Sequence, residues 1–386
     1  MAAPFLPGNR LTLLRAGAEY FPALEAAIGA ARGEVFLETY IYAGDATGRR
    51  VTRALCDAAS RGAAVHVLVD GFGARDMPEE FVNDLGEAGV RLLVYRPQVF
   101  RFPWRSDRLR RMHRKLAAID DRIAFIGGIN IIDDADTPHQ RPPRYDFAAT
   151  IEGPLVGEVR LAAERLWNRT ALARMRPEWR VRFQGDPPRA AKGQQRAALV
   201  VRDNLRNRRS IENAYLEAMD AASDEIIIAN AYFFPGTRFR RALVRAAKRR
   251  VRVVLMLQAR VEYVALHYAT RALYGALLES GVEIYEYRRS FLHAKVAVVD
   301  GRWATVGSSN IDPFSLLLAR EANLVVDDEG FAGELRGLLL EDIARGARTV
   351  RARHWSRQSL WRRVPYWIAY GLARVAIGLF GPRGRF

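Results

Sequence analysis

The sequence His113-Arg-Lys-Leu-Ala-Ala-Ile-Asp120 is followed, after six residues, by Gly127-Gly-Ile-Asn130. Later in the chain, His293-Ala-Lys-Val-Ala-Val-Val-Asp300 is followed, again after six residues, by Gly307-Ser-Ser-Asn310. The chain has 386 residues but only 6 histidines, and two of its four lysines lie in these motifs. Such a match between rare residues indicates a duplication rather than a coincidence of composition.

A second repeated pattern surrounds the two motifs. The β-branched and aromatic run Glu34–Tyr42 precedes a helix-like stretch and a second apolar run, Ala63–Val69. Glu225–Phe234 and Val251–Leu257 repeat these runs roughly 190 residues later. Strands that alternate with helices predict a β-α-β unit in each half, and therefore two duplicated α/β domains, each with a mainly parallel sheet.

The breaker-rich residues 182–196 are the predicted linker between the two domains. The first domain is then predicted at 1–181 and the second at 197–345, with a basic, tryptophan-rich segment at 346–386. Two similar halves are expected to pack about a pseudo-twofold axis, as an isologous dimer does. A cleft between them would receive equivalent residues from each half, so the active site is predicted at their interface.

Composition limits the possible partners and compartments. Hydrophobic residues at 49% and charged residues at 27% exclude a disordered chain and a polytopic membrane protein. The 60 Lys and Arg against 43 Asp and Glu give a net charge of +17, which attracts polyanions such as nucleic acid, anionic lipid or phosphorylated substrates. Cys56 is the single cysteine and Met1–Tyr20 lacks a signal-peptide pattern, so a cytoplasmic location is expected.

The motif residues point to phosphoryl chemistry. His113 and Lys115 lie two positions apart on a predicted strand, which would place both side chains on one face, and His293 and Lys295 repeat this spacing. A neutral imidazole can attack phosphorus or accept a proton, while ammonium and amide groups neutralise phosphate oxygens.

Two such sets would surround one phosphate with paired histidines, lysines and asparagines, Asn130 and Asn310. This chemistry needs no metal ion and no cofactor. Asp120 and Asp300 complete the motifs and are also candidate catalytic residues. The alternative for both aspartates is an architectural role, in which they accept hydrogen bonds near the end of a strand.

Both motifs match the doubled His-x-Lys-x4-Asp signature of the phospholipase D superfamily, which the chain therefore resembles. The flanking Leu37–Ile41, Ala229–Phe233 and Phe125–Asn130 resemble its bacterial cardiolipin synthase branch, in a short form without amino-terminal membrane helices. Gly128 stands where the superfamily often has a serine, as at Ser308.

The resemblance implies a mechanism in two displacements. By analogy, His113 is the nucleophile that becomes phosphorylated, and His293 is the acid and base. An acidic residue downstream in each half would orient the histidine of that half, and Asp146 and Glu321 occupy the corresponding places. Ser308 joins the two asparagines as a residue that binds or orients the phosphate.

The resemblance further implies a cardiolipin synthase-type phosphatidyltransferase, which condenses two phosphatidylglycerol molecules to cardiolipin and glycerol through a phosphohistidine. The alternatives are a phospholipase D hydrolase or nuclease on the same scaffold, and a non-catalytic protein that binds anionic membranes or nucleic acid. Two intact motifs argue against the non-catalytic protein. The expected partners are the phospholipid substrate and an anionic membrane surface, at the cytoplasmic side of the inner membrane. Nucleic acid is disfavoured, and no obligate protein partner is inferred.

Two segments bear on membrane contact. Phe100–Arg105, with Arg108 and Arg110–Arg111, mixes aromatic and cationic groups before His113. It would form a membrane-contacting lip, bind single-stranded nucleic acid, or be a solvated basic loop. The apolar Val364–Phe380 follows an arginine- and tryptophan-rich flank, which is typical of a helix in the headgroup region. The alternative is a terminal helix docked on the protein's own core.

Overall fold

The computed structural model describes residues 4–97, 110–137, 141–182, 190–204, 206–260, 264–356 and 360–380. The strands are β1 (Leu6–Arg15), β2 (Glu34–Thr39), β3 (Ala64–Asp70), β4 (Arg91–Tyr95), β5 (Leu116–Ile119), β6 (Ile123–Gly127), β7 (Arg144–Tyr145), β8 (Phe147–Glu152), β9 (Gln195–Arg202), β10 (Glu225–Asn230), β11 (Arg252–Gln258), β12 (Glu283–Tyr287), β13 (Phe291–Leu292), β14 (Lys295–Val299), β15 (Trp303–Gly307), β16 (Glu321–Asp327) and β17 (Ala347–Thr349). The helices are α1 (Ala16–Gly29), α2 (Ala46–Ser60), α3 (Glu79–Glu87), α4 (Leu155–Ala173), α5 (Ser210–Ala221), α6 (Thr237–Lys248), α7 (Val264–Glu279), α8 (Pro313–Leu317), α9 (Glu329–Gly346), α10 (Ala352–Ser356) and α11 (Leu360–Phe380).

Most of these strands form one continuous sheet across both halves of the chain. Its order is β17-β12-β11-β10-β14-β15-β16-β9-β1-β8-β6-β5-β2-β3-β4. The halves meet at its centre, where β1 pairs with β9 in antiparallel orientation and Leu6 lies opposite Ala197. Reading outward from this seam, β1, β8, β6, β5, β2, β3 and β4 correspond to β9, β16, β15, β14, β10, β11 and β12. The predicted pair of duplicated α/β halves is confirmed.

The prediction of a mainly parallel sheet is wrong. Within the continuous sheet, only β2-β3-β4 and β10-β11-β12 run parallel, and the separate pair β7-β13 is also parallel. The motif strands instead form antiparallel hairpins, β5-β6 and β14-β15. Their turns are short and contain residues with positive φ, 53° at Asp120 and 51° at Asp300. A strand that returns after a few residues pairs antiparallel, because a parallel partner requires a crossover of a dozen or more residues.

The predicted β-α-β units lie where the two apolar runs indicated. β2 begins at Glu34 and β10 at Glu225, as predicted, but both strands end earlier than the apolar runs do. Helix α2 begins at Ala46, five residues before Val51, where the helix-like pattern of the sequence begins, because the Asp45 side chain accepts a hydrogen bond from Gly48 N (2.8 Å). This N-cap partners an amide of the first turn and so adds a turn to the helix.

The apolar core spans both halves. One cluster of buried side chains includes Phe147 and Trp167 from the first half and Leu324 and Leu335 from the second. Helix α4 also contacts β9, and α9 also contacts β1, so each helix packs across the seam. Burial of each large side chain contributes about 1.5–3 kcal/mol. The seam is therefore held by the same kind of packing as the interior of each half.

The carboxy-terminal helix α11 packs against α7. Tyr366 contacts Tyr268 (ring centroids 5.5 Å apart), and Tyr370 contacts Phe234 (5.7 Å). Among the residues that the structure describes, no helix is both long enough and apolar enough to cross a bilayer. The docked-helix alternative therefore describes one face of α11.

Candidate active site

Both motif histidines lie just outside the strands of their own half. His113 precedes β5, and its backbone N–H donates to the Arg320 carbonyl of the second half (2.9 Å). His293 follows β13, and its N–H donates to the Tyr145 carbonyl of the first half (2.8 Å). The prediction that each histidine belongs to a motif strand is wrong, because the backbone N–H of each histidine is hydrogen-bonded to the opposite half instead. The predicted position of the site, at the interface, agrees with these contacts.

Each imidazole is held by a carboxylate from the other half. His113 Nδ1 lies 3.0 and 3.1 Å from the Glu321 carboxylate oxygens. His293 Nδ1 lies 2.6 Å from Asp146 Oδ2. The sequence identified both carboxylates, but the expectation that each orients the histidine of its own half is wrong. The pairing is crossed, so neither half contains a complete histidine–carboxylate pair.

The crossed pairs fix the tautomer of both histidines. An ionised carboxylate only accepts hydrogen bonds, so Nδ1 of each ring carries the proton that is donated to it. Nε2 then keeps its lone pair and faces away from the carboxylate. A second group that holds a histidine in this way sets both its orientation and its basicity. The arrangement prepares each ring for attack on phosphorus or for proton transfer.

Burial keeps both rings uncharged at neutral pH. Burial lowers the pKa of His113, and the negative charge of Glu321 opposes this effect. Burial together with the cations Lys295 and Arg144 lowers the pKa of His293 well below its usual range. Burial also raises the pKa of Asp146 to about 6, opposed by Lys295. Uncharged imidazoles are the form that attacks phosphorus or accepts a proton.

The two motif lysines are buried beside the histidines. Lys115 Nζ donates to the His113 carbonyl (2.7 Å), and Lys295 Nζ donates to the His293 carbonyl. Burial lowers the pKa of Lys115 to about 7. Lys295 Nζ also lies 3.9 Å from Asp146 Oδ2, across the seam. Ammonium groups that are buried away from water attract an anionic phosphodiester strongly, because the local dielectric constant is lower than that of water.

Ser308 is hydrogen-bonded to one of the two carboxylates. Its hydroxyl donates to the Glu321 carboxylate and accepts from Ala322 N (3.1 Å). The equivalent residue of the first half is Gly128, where an added Cβ would lie 2.3 Å from Asp146 Oδ1. Asp146 fills the space that a serine would need, which explains why this position departs from the superfamily pattern.

The asparagines are buried near the ends of the motif hairpins. Asn130 is 3% exposed, and its Oδ1 accepts from Ile41 N (3.1 Å). Its amide NH₂ group can still donate to a ligand. Asn310 is 4% exposed, and its Oδ1 has no hydrogen-bond partner among the described residues. In the first half, the backbone N–H of Gly127, three residues before Asn130, donates to the Lys115 carbonyl (3.2 Å).

Asp120 and Asp300 do not join this cluster. The Asp120 carboxylate accepts hydrogen bonds from three successive backbone amides, those of Arg32, Gly33 and Glu34. Asp300 accepts in the same way from the backbone amides of Ser223, Asp224 and Glu225, at the start of β10. Both lie at the far end of a motif strand from the histidine. Of the two roles that the sequence left open, the contacts support the architectural one.

Three further side chains lie around the site and were not predicted from the motifs. The Tyr40 ring lies 4.9 Å from the His113 ring and 5.3 Å from Lys115 Nζ, both measured to its centroid. Arg114, inside the first motif, forms a buried ion pair with Glu38 (2.8 Å). The second half has Ala294 and Ala229 at these two places. Tyr40 and Glu38 lie in the quoted Leu37–Ile41 run, so a comparison of the two halves could have identified them.

Part of the predicted membrane lip lies outside the described residues, namely Phe100–Arg105 and Arg108. Arg111 is described, and its guanidinium lies 3.7 Å from the buried Asp70 carboxylate. Within the described ranges, no three His, Cys, Asp or Glu side chains are grouped so that they could hold a metal ion.

Comparison with known proteins gives matches over the whole chain. The family model "Cardiolipin synthase, PLD-like domain" matches residues 24–138 and 215–343, one region in each half. Cardiolipin synthase B of Shigella flexneri is 40% identical over 382 residues, which cover 99% of this chain and 92% of that protein. Cardiolipin synthase B of Escherichia coli K12 gives the same identity and coverage. The major cardiolipin synthase of Bacillus subtilis is 28% identical over 94% of this chain and 74% of its own.

Among solved structures, phosphatidylserine synthase of Haemophilus influenzae matches with a TM-score of 0.70. The match covers 97% of this chain and 95% of that chain at 14% identity, so it supports the fold alone. Polyphosphate kinase of Porphyromonas gingivalis matches with a TM-score of 0.58, over 53% of that chain.

Proposed function

The chain belongs to the cardiolipin synthase family of phospholipase D-like proteins, and we propose that it condenses two phosphatidylglycerol molecules into cardiolipin and glycerol. One observation carries this proposal above the others. Two uncharged imidazoles, each on a carboxylate of the opposite half, face one cluster with two buried lysines. A reaction with two displacements at one phosphorus needs one nucleophile and one acid and base, which the crossed pairs supply.

In the first displacement, Nε2 of His113 attacks the phosphorus of one phosphatidylglycerol. A phosphorus–nitrogen bond forms while the bond from phosphorus to the glycerol oxygen breaks. His293 carries the proton that this oxygen takes up, because the negative charge of the bound phosphodiester favours its protonated form. Glycerol leaves, and the phosphatidyl group stays on His113.

In the second displacement, a hydroxyl of the second phosphatidylglycerol attacks the phosphorus. His293, now uncharged, accepts the hydroxyl proton, and the phosphorus–nitrogen bond breaks to release cardiolipin. Lys115, Lys295 and the two asparagines hold the phosphate oxygens while charge shifts between them. The carboxylates keep both rings in position, Glu321 for His113 and Asp146 for His293.

The surface that we propose for membrane contact is the outward face of α11, here called the apolar stripe. It consists of the exposed side chains Trp361, Val364, Trp367, Ile368, Leu372 and Val375. Most of them recur at three- and four-residue intervals on the side away from the docked tyrosines, whereas Trp367 borders the docked face and contacts Tyr370 (ring centroids 6.0 Å apart). Apolar and tryptophan side chains on an otherwise basic surface fit the boundary of an anionic bilayer. This would place the protein on the inner face of the cytoplasmic membrane.

The proposed activity is tested with vesicles of labelled phosphatidylglycerol and purified protein. We expect cardiolipin and an equal amount of glycerol, and we expect His113→Ala and His293→Ala each to abolish both products. Thermal unfolding of the variants controls for loss of fold. Phosphatidic acid without cardiolipin would instead support a hydrolase, and retention of more than a few per cent activity by either variant would exclude the two-histidine mechanism.

A further inference from the structure

A pocket lies at the carboxyl ends of β10 and β11, on the side of the second half. Among its lining residues are Ala231, Tyr232, Gln258, Arg260, His267 and Thr270. The space in it that water-sized groups can occupy is about 30 Å³, room for about two or three water molecules and so for a small polar group rather than a large ligand. The backbone N–H of Ala231 donates to the Ala294 carbonyl (3.0 Å), so the pocket wall lies one residue from His293.

Gln258 gives this pocket an unpartnered polar group. Its side chain is 8% exposed, and neither its amide oxygen nor its amide nitrogen has a hydrogen-bond partner among the described residues. A buried amide without partners is costly, at about 1–3 kcal/mol for each unsatisfied group. Such a group requires an explanation, and a bound ligand that supplies the missing hydrogen-bond partners is one.

The residue equivalent to Gln258 in the first half is Asp70, and it has a structural role. Asp70 is the last residue of β3, and Gln258 is the last residue of β11. The strand registers make these two positions equivalent. The Asp70 carboxylate accepts from Met112 N (2.8 Å), Phe72 N (2.8 Å) and Gly73 N (3.3 Å). It therefore fixes the backbone beside His113. The two halves differ at this position: the Asp70 side chain is bonded to the backbone, whereas the Gln258 side chain lines a pocket.

The reaction itself requires such a difference between the halves. The glycerol that leaves and the alcohol that enters must both occupy the side of the phosphate that faces the acid and base. In the proposed reaction, which this inference extends, the two groups are the same, since each is a glycerol unit. One pocket beside His293 can therefore serve both displacements.

We propose that the pocket binds the glycerol headgroup of phosphatidylglycerol and that the Gln258 amide recognises its hydroxyls. An amide both donates and accepts hydrogen bonds, as a hydroxyl does, so the two groups are complementary. The half-buried Arg260 would pair with the phosphate of the incoming lipid. Gln258 is thus a specificity-determining residue for the alcohol.

Helix α7 links this pocket to the proposed membrane surface. His267 and Thr270 line the pocket from α7, and the neighbouring Tyr268 contacts Tyr366 of α11. Burial, together with Arg271, lowers the pKa of His267 to about 4, so its ring is uncharged and can also bond a hydroxyl. A headgroup in the pocket would lie beside the helix whose apolar stripe meets the lipid.

The test is a competition between two soluble alcohols. Phosphatidylglycerol is supplied as donor with equal concentrations of deuterated glycerol and 1-propanol, and mass spectrometry measures the ratio of labelled phosphatidylglycerol to phosphatidylpropanol. We expect the wild-type protein to prefer glycerol. Gln258→Met, which keeps the length of the side chain, should lower this preference by roughly fivefold to tenfold. Gln194→Met makes the same change at an exposed position and should leave the ratio unaltered.

A Gln258→Met ratio within twofold of the wild-type value would overturn the assignment. So would a wild-type protein without preference for glycerol, a result that needs no variant to fold. The ratio can be measured with any phosphatidyl donor that the protein cleaves. A protein that prefers glycerol but makes no cardiolipin would contradict the proposed function and support the pocket.

Discussion

Each motif histidine depends on a carboxylate that lies far away in sequence and in the opposite half. His113 pairs with Glu321, and His293 pairs with Asp146. No pattern within one half indicates this exchange, because the spacing from histidine to acid is similar in both. The motifs were sufficient to identify the histidines. Which carboxylate each histidine contacts depends on the tertiary structure, because β13 and the segment before β5 each reach the opposite half.

We expect Glu321→Gln and Asp146→Asn each to lower kcat by about 100-fold or more, since an amide no longer fixes the ring tautomer. Asp220→Asn, which alters an exposed ion pair with Arg245, serves as the control and should be neutral. Steady-state kinetics on vesicles measures the effect. If both active-site variants kept wild-type kcat, the carboxylates would have no positioning role.

The crossing itself is tested by double-mutant cycles on the free energy of unfolding. His113→Ala and Glu321→Gln should couple by about 0.5–3 kcal/mol, because they share a hydrogen bond. His113→Ala and Asp146→Asn, which would couple if each half held its own pair, should show a smaller term. Denaturant unfolding of the single and double variants gives both values, and the reverse order would contradict the crossed arrangement.

The charge of Lys115 should control the alkaline side of the pH profile. Burial lowers the pKa of Lys115 to about 7, so the ammonium group of the free protein loses its proton as the pH rises through this value. Since the charged form attracts the phosphodiester, kcat/KM should fall above about pH 7. In Lys115→Arg the group stays charged, so this decline should move to higher pH, although the maximum falls with the altered geometry. An alkaline limb that does not move would exclude Lys115 as its origin.

At the scale of elements, helix α11 combines the two roles that the sequence presented as alternatives. Its tyrosines pack on α7 and Phe234, while Ile368, Leu372 and Val375 are 57%, 67% and 60% exposed. An apolar sequence reveals that a helix will bury surface but not on which side a protein neighbour lies. The distinction therefore required the tertiary structure.

Substitutions on the two faces of α11 should separate docking from membrane contact. Ile368→Ser with Leu372→Ser and Val375→Ser should weaken binding to anionic vesicles by at least about tenfold, because three side chains lose burial in the lipid. The melting temperature should change little. Tyr370→Ala, on the docked face, should lower the melting temperature and retain vesicle binding. Co-sedimentation and thermal unfolding measure these effects, and unchanged sedimentation of the triple variant would exclude the apolar stripe as an anchor.

At the scale of the whole molecule, the duplication was the most informative feature of the sequence. It predicted two α/β halves and a site between them, since equivalent residues of two similar halves meet at a pseudo-twofold axis. It did not predict one continuous sheet, because the pairing of β1 with β9 joins strands about 190 residues apart. The different roles of Asp70 and Gln258 also depend on contacts that only the folded chain creates.

The whole site is expected to work without a metal ion. Its proposed cations are lysines, and its proposed acid and base are histidines. Excess EDTA should therefore leave cardiolipin formation on vesicles within about twofold of the untreated rate. A complete loss of activity that one specific divalent ion restores would contradict this proposal.

In the proposed mechanism, a phosphatidyl group passes through a histidine at the interface of the two halves. The most direct measurement is mass spectrometry of the protein during turnover of phosphatidylglycerol, quenched in alkali, which preserves a phosphorus–nitrogen bond. We predict one phosphatidyl group on the peptide that contains His113, absent from His113→Ala. Cardiolipin formation at full rate with no adduct on either His113 or His293 would contradict the account.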